Sequence, residues 1–414
     1  MATKTTTAYS YVRQQFGMPI GHFEGVQEAT ARIIANTYQL EAARRLTTQG
    51  IDLKVKPSVV TAIAKYHMTE LGRDVLEDAM DVQSGKGIQL GPKNYLGHAY
   101  IATPISITVE GANILTRSLM IFGQGATRCH PYVLAEMEAA AMEDETSALD
   151  RFDSLLLGHI GYAIGNALRS FGYALTGSRL GSAPVSGPTQ QYYRDMTRIS
   201  SSLAIMTDLS MLIMGGDLKR KEMISARMGD VLSQLYLASA TLKLFEDNGR
   251  QQDDLPAVHY VMTERLHLAA KALNDAIRNF PSKIAAVLLR VLIFPLGNHF
   301  NAPSDKYAVD LVTGMLKPGP ARDRITFLCS DVEGDESGIA EVEQAFLAKY
   351  AAKDLYKKLK KAQRSGHLKS KLPMLELFEQ ALEKDIITKA EHKQLVEADV
   401  LRLAAINVDD FDKI

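Results

Sequence analysis

The sequence predicts a protein built almost entirely of α-helices. Apolar residues recur with the helical period through nearly every segment of the 414 residues, and almost no segment alternates as a strand would. Glycine and proline lie between the periodic segments, where they end helices. A chain of this length buries a substantial core and usually forms two or three domains.

Three helices, a glycine-rich loop, and a turn followed by a fourth helix are predicted before residue 130. The three helices are residues 6–16, 23–49 and 58–82, the loop is 83–92, and the turn is Glu110-Gly111 with a helix to residue 122. Gly123, Gly125 and Pro131 then interrupt the pattern. The sequence therefore predicts two domains, residues 1–130 and residues 131–414.

The second domain is predicted to be a larger set of helices. They are residues 155–176, 189–214, 226–248, 257–279, 372–382 and 388–405. The first of them carries four glycines in an apolar stretch, and a fifth, Gly177, follows it directly, which favours a buried packing helix over a membrane segment. Residues 353–371 are rich in lysine and arginine, which is typical of a solvated helix face or of a contact for acidic headgroups or phosphates.

Composition excludes several classes of protein. The 47 basic and 48 acidic residues give a net charge of -1, so nucleic acid is not an expected partner. The longest apolar run, residues 284–297, contains Arg290 and is shorter than the roughly 20 residues of a membrane span. Cys129 and Cys329 form neither a disulfide framework nor a metal cluster, and each is expected to be buried. A soluble, cytoplasmic protein is predicted, with no signal peptide.

Glu110 is the strongest functional candidate. A β-branched run, residues 106–109, leads to Glu110-Gly111, and an apolar helix follows. A carboxylate at such a junction is held by a turn at a helix N-terminus instead of lying on a solvated face. The position suits a carboxylate that acts as a base.

Three stretches resemble the acyl-coenzyme A dehydrogenase family. Residues 106–118 resemble its Glu-Gly-Thr signature, with an arginine seven residues after the glutamate. Residues 13–17 resemble its Arg-x-x-Phe-Gly element, and residues 85–87 resemble its Gly-Gly-x-Gly loop. The order and spacing of the three agree with the family.

The resemblance implies a fold, a reaction and a cofactor. The fold is the family's C-terminal helical bundle, here followed by a larger helical extension. Glu110 removes the α-proton of a medium- or long-chain acyl-coenzyme A while a hydride leaves the β-carbon for FAD. The residues implied to contact FAD are Arg13, Phe16, Gly85, Gly87 and Gly111. In the family, the arginine and phenylalanine touch FAD that is bound mainly by the neighbouring subunit.

The resemblance also implies partners and a pathway. They are an electron-transfer flavoprotein and a second copy of the chain, in fatty-acid β-oxidation, with a peripheral contact at the inner membrane as a further possibility. The chain departs from the family at Glu24, Asp81 and Ala112. It has no counterpart of the family's N-terminal helical domain and β-domain. We therefore expect the C-terminal portion of a large bacterial enzyme.

Two other functions compete with this interpretation. One is a non-catalytic helical module for oligomerisation or docking. The other is a di-iron bundle, because Glu264-x-x-His267 has the required spacing, but that site needs a second such pair, and His67-x-x-Glu70 has the reverse order. No metal site is therefore predicted. Arg117 is either a site residue or part of a structural ion pair.

Overall fold

A computed structural model describes residues 1–128, 130–329, 338–369 and 371–411. Within these ranges the protein is helical apart from one short hairpin and the connecting loops, so the all-α prediction is confirmed. Cys129 lies outside the described residues. Cys329, which we expected to be buried, is only partly buried.

The first part of the chain contains seven α-helices and the hairpin among its described residues. In order they are α1 (Ala2–Val12), β1 (Gln14–Gln15), β2 (Met18–Pro19), α2 (Glu24–Asp52), α3 (Ser58–Gln83), α4 (Gly85–Ile88), α5 (Gly97–Thr108), α6 (Asn113–Leu115), a π-helical segment (Thr116–Ile121) and α7 (Phe122–Arg128). Short 3-10 turns complete the connections.

Twelve α-helices follow in the described remainder of the chain. They are α8 (Val133–Ala140), α9 (Glu145–Leu175), α10 (Gln190–Met214), α11 (Glu222–Asp247), α12 (Leu255–Arg278), α13 (Lys283–Ile293), α14 (Asp305–Met315), α15 (Pro320–Thr326), α16 (Ile339–Ala351), α17 (Lys353–Arg364), α18 (Met374–Glu383) and α19 (Lys389–Ile406).

The centre of the bundle is a polar helix. Nearly all of α1 is buried, including Thr5, Thr6 and Thr7. Their hydroxyls are satisfied by hydrogen bonds, because an unpaired buried hydroxyl is costly: Thr7 donates to a carbonyl one turn earlier at 2.7 Å, and Thr6 accepts from Gln83 at 2.9 Å. Because α1 is mostly polar in sequence, a helical repeat of apolar residues could not have identified it as the centre of the fold.

The helices before and after residue 130 share one hydrophobic core. Ile34 and Tyr38 of α2 belong to the same buried cluster as Phe245 of α11 and Val261 of α12. Residues from both parts are thus desolvated together, and burial of apolar surface stabilises both. A division near residue 130 stays a prediction about the chain, but in the described residues the two parts do not pack as separate units.

Two local predictions were wrong. The first helix ends at Val12, and a hairpin replaces its predicted last turns. The predicted loop at residues 83–92 contains the helical turn α4. The β-branched run of residues 106–109 begins inside α5, which contains Pro104, because helical packing overrides local strand propensity.

The glycine-rich helix was also predicted incorrectly. α9 packs against α8, α10 and α13 on one side only. Its other face is open to solvent, with Leu157 71% exposed and Leu168 69% exposed, so it is not a buried packing helix. One stretch within the described helices, Gln190–Arg220, is long and apolar enough to cross a membrane, a criterion that core helices of soluble proteins also meet.

Candidate functional site

A two-residue hairpin carries the first predicted cofactor residues. Gln15 pairs with Met18, which leaves Phe16 and Gly17 at the tip, and both have positive φ values of 51° and 75°. This is the type I′ geometry that matches strand twist, and it favours glycine or asparagine at both positions. A phenylalanine there is strained by about 1–2 kcal/mol.

The Phe16 ring and the Arg13 guanidinium are both free to contact a ligand. Phe16 is 94% exposed, and its ring meets the Phe23 ring edge-on, at 6.2 Å between centroids. The half-buried Arg13 side chain makes no hydrogen bond or ion pair with any other residue that the structure describes. A strained, exposed aromatic side chain beside an unpaired guanidinium indicates a ligand site more than a packing role.

Gly85 and Gly87, the two glycines that the resemblance implies to contact FAD, lie on α4, and their environments differ. A side chain on Gly85 would meet nothing within 4 Å, so the backbone there is open to a ligand. A Cβ on Gly87 would lie 3.2 Å from the Cα of Met80, so this glycine is already required by the close approach of α3. Packing alone accounts for Gly87, whereas it does not account for Gly85.

The hairpin and the glycine turn meet at one end of α3. Val12 and Ile20, which flank the hairpin, share a buried cluster with Val82 near the end of α3. Tyr95 donates a hydrogen bond to Gln83, and Gln83 donates to Thr6 of α1. The buried cluster and the Gln83 hydrogen bonds connect the elements that carry Arg13, Phe16, Gly85 and Gly87. This region is named here the nucleotide end, after the ligand that the resemblance implies.

Glu110 lies on the other side of the bundle, in a strained turn. Its φ is 56° and that of Gly111 is 92°, both in the left-handed region. Lys65 of α3 fixes the turn by donating to the carbonyls of Gly111 at 2.8 Å and Ile107 at 3.3 Å, and also to the Asn113 side chain. A glutamate held in this conformation by these hydrogen bonds is a functional candidate.

The Glu110 carboxylate is exposed and lines an open pocket. The pocket has a volume of about 260 Å³ and is also lined by Ala62, Lys65, Thr116 and Met120. Lys65 and Gln83 are eighteen residues apart on α3, which corresponds to about 27 Å. The Glu110 turn and the nucleotide end therefore lie at well-separated positions along α3.

Arg117 is engaged in a structural ion pair. It lies in the π-helical segment after the turn, and its Nε donates to Asp230 of α11 at 2.7 Å, with a second bond from Nη2. Burial raises the pKa of the Asp230 carboxyl, and Arg117 opposes this effect. Of the two roles considered for Arg117, the geometry favours the ion pair.

The histidines of the two di-iron-like motifs do not converge. His67, Glu70 and Glu264 line one cleft of about 450 Å³, but His267 bonds the carbonyl of Phe300 at 2.8 Å. Burial, aided by nearby arginines, lowers the pKa of His67 to about 3, so its imidazole is neutral at pH 7. Its Nε2 atom is buried and has no hydrogen-bond partner among the residues that the structure describes.

Sequence reasoning missed a cluster of two histidines and two carboxylates. Ligand atoms of His130, His159 and Asp208 lie within 4.8 Å of one another, and Glu136 is 2.9 Å from His159. However, His130 Nδ1 accepts from the backbone N–H groups of Tyr132 and Val133 at 3.2 Å, which places the imidazole proton on Nε2. That proton is donated to Asp208 at 2.8 Å, so the cluster is a hydrogen-bond network and does not fit a metal site. The four residues are spread over residues 130–208 and form no recognisable motif, so the sequence gave no signal for this cluster.

Comparison with known proteins agrees with this geometry. Residues 1–121 match the family described as acyl-CoA dehydrogenase, C-terminal domain, and residues 127–411 match acyl-CoA dehydrogenase, C-terminal, bacterial type. The fold is similar to that of an acyl-CoA dehydrogenase from Bacillus anthracis solved in complex with FAD, with a TM-score of 0.56 and 14% identity. The similarity covers 76% of this chain and 52% of that chain, so the chain spans about half of its length.

The match by the bacterial-type family covers most of the chain. The protein therefore belongs to the acyl-CoA dehydrogenase family, which confirms the resemblance. The structural likeness, at 14% identity, supports the fold alone.

Proposed function

We propose that the chain forms part of an FAD-dependent acyl-CoA dehydrogenase in which Glu110 is the catalytic base. The substrate is a medium- or long-chain acyl-CoA, which becomes a trans-2-enoyl-CoA in fatty-acid β-oxidation. The observation that carries the proposal is the strained Glu110 turn, fixed by Lys65 at the edge of an open pocket. Family membership supports the reaction class.

Glu110 accepts the α-proton of the thioester on a carboxylate oxygen. A free carboxylate is too weak a base for this proton, so water must be removed from it during the reaction. Glu110 is exposed in the described structure. The acyl chain and the remainder of the active site must therefore desolvate it, while the Lys65 bonds keep the turn in place.

The nucleotide end fits FAD. The planar guanidinium of Arg13 can donate two bonds to a pyrophosphate, and the exposed Phe16 ring offers a stacking surface. The open backbone at Gly85 allows a close approach. When bound, FAD supplies the acceptor for the hydride that leaves the substrate β-carbon.

The distance between the two regions supports a homo-oligomer. About 27 Å along α3 separates Lys65, at the Glu110 turn, from Gln83, at the nucleotide end, which agrees with the two regions contacting different FAD molecules. The nucleotide end then serves FAD held mainly by a neighbouring subunit. Reoxidation by an electron-transfer flavoprotein and a cytoplasmic location are part of this proposal, as is a peripheral contact of the basic helix α17 with the inner membrane.

A second candidate function is a helical module for oligomerisation or docking. It is favoured by the apolar face that α9 and α13 expose, where Leu157, Leu168 and Val287 are each more than 60% exposed. This function predicts a stable oligomer without FAD that Leu157→Glu and Val287→Glu dissociate in analytical ultracentrifugation.

The Glu110→Gln variant distinguishes the two functions. An enzyme should lose reduction of its flavin by acyl-CoA in this variant, while the oligomeric state is unchanged. A docking module should show neither flavin reduction nor any effect of the substitution. Glu376→Gln, which alters an exposed carboxylate on α18, is the matched control.

A further inference from the structure

A buried lysine from the C-terminal part of the chain closes the end of α1. Lys349 of α16 is 4% exposed, and its Nζ donates to the carbonyls of Tyr11 at 2.8 Å and Val12 at 3.0 Å. The last carbonyls of a helix have no partner within that helix, so an external donor stabilises this end. The next residue is Arg13, where the hairpin of the nucleotide end begins.

The end of the described chain holds the glycine turn in a similar way. Lys86, between the two glycines, donates to the carbonyl of Asn407 at 3.1 Å, and the backbone N–H of Lys93 donates to Asp409 at 3.0 Å. A Cβ on Gly91 would lie only 2.3 Å from the Asp409 carboxylate, so any larger residue there would displace this side chain. Residues 407–409 therefore lie directly against the turn.

These two contacts come from one packed unit. α16 packs on α19, which precedes residues 407–409, and both helices pack on α1. Phe346 and Ala405 share a buried cluster with Val12 and Val82, which support the hairpin and the turn. A hairpin with two residue pairs is not stable alone, so its conformation must come from such neighbours.

We propose that Lys349 and residues 407–409 are positioning elements, which hold the Arg13–Phe16 hairpin and the Gly85–Gly87 turn in the arrangement that binds FAD. Lys349 bonds the carbonyls of Tyr11 and Val12, which directly precede Arg13. Residues 407–409 bond Lys86, which lies between the two glycines, and the backbone of Lys93. These elements therefore act on the binding residues through the neighbouring chain. The identity of the ligand rests on the proposed function above. This gives the C-terminal part of the chain a role in cofactor binding.

Hydrogen exchange of the full chain tests the positioning directly. The Arg13 amide makes the last hydrogen bond of α1, and the Ile20 amide bonds the Arg13 carbonyl across the base of the hairpin. In Lys349→Met, both amides should exchange at least tenfold faster. The amide of the fully buried Met262 in α12 should keep its rate, and Lys393→Met, which removes an exposed lysine from α19, should change none of these rates. Unchanged rates at Arg13 and Ile20, or equal acceleration at Met262, would overturn the proposal.

FAD titration of the same proteins tests the functional consequence. Lys349→Met and Asp409→Ala should weaken FAD binding about tenfold. Asp409→Asn, which keeps an acceptor oxygen for the Lys93 amide, should restore binding, and Lys393→Met should match the wild type. If Lys349→Met and Asp409→Ala both bind FAD with wild-type affinity, the positioning role is overturned and the proposed function is not. An absence of FAD binding by the wild type would instead contradict the proposed function of the nucleotide end.

Discussion

Arg117 and Asp230 form a bidentate ion pair between the segment behind the Glu110 turn and α11. The pair joins the candidate base to the part of the chain that follows residue 130. Because burial already raises the pKa of Asp230, removal of the arginine would leave a poorly solvated carboxylate. The ion pair therefore fixes the segment that follows the turn.

The first prediction concerns this pair. Arg117→Met and Asp230→Asn should each lower the free energy of unfolding by about 1–3 kcal/mol. Chemical denaturation of both single variants and the double variant gives the coupling free energy between Arg117 and Asp230, which should exceed about 1 kcal/mol. If Arg117 instead acts on the substrate, its removal would reduce turnover without affecting stability, and the coupling would vanish.

A second prediction concerns the buried pair of Arg322 and Glu343. Arg322 lies on α15, Glu343 lies on α16, and the guanidinium also donates to the carbonyl of Lys4 in α1 at 2.9 Å. Arg322→Leu leaves Glu343 buried and unpaired, so the free energy of unfolding should fall by about 3–5 kcal/mol. Arg220→Leu breaks an exposed pair and should change it by less than about 0.5 kcal/mol. Equal effects of the two variants in denaturant melts would contradict the account.

A third prediction separates binding from stability at the hairpin. Phe16→Asn removes an exposed ring and places a residue that tolerates positive φ in the type I′ turn. Because relief of the strain at Phe16 stabilises the turn, the free energy of unfolding should not fall and should rise by up to about 1 kcal/mol. FAD binding should weaken at least fivefold, whereas Phe327→Asn, at another exposed ring, should leave it unchanged. A destabilised variant that retains FAD affinity would show that Phe16 is only structural.

A fourth prediction concerns acid stability. The pKa of buried His67 is about 3 in the folded protein, against an ordinary value of 6.5. Between pH 6.5 and pH 3 the unfolded chain therefore takes up a proton that the folded protein does not, so stability is lost as the pH falls. One such proton contributes a slope of at most about 1.4 kcal/mol per pH unit.

His67→Leu should make the pH dependence of the unfolding free energy shallower over this range. His98→Leu, at an exposed position, controls for the loss of one histidine from the unfolded chain. Denaturant titrations at several pH values provide the measurement. The same slope in wild type and His67→Leu would refute a neutral buried imidazole.

The long helices were predictable because their apolar period is strong. The predicted helices at residues 58–82, 226–248 and 257–279 correspond to α3, α11 and α12 within a few residues. Residues 13, 16 and 110 were identified as site candidates because residue type and order carry that information. Their roles stay predictions.

The remaining features depend on tertiary contacts. The threonines of α1 have no apolar period, and their burial depends on partners such as Gln83, far away in sequence. The strained conformation of Phe16 arises from a turn that the sequence alone predicted as helix. Likewise, Lys349 looked like one of many charged residues, because its acceptors lie more than three hundred positions away.

The most direct test of the central claim is flavin reduction by substrate. The purified chain is incubated with excess FAD, desalted and mixed anaerobically with an acyl-CoA while the visible flavin absorbance is followed. We predict that the wild type retains FAD that bleaches, and that Glu110→Gln retains it but bleaches about 10²–10⁴-fold more slowly. Equal bleaching by Glu110→Gln would show that another residue is the base. A wild type that retains no flavin would contradict a working site on this chain and leave the docking module as its function.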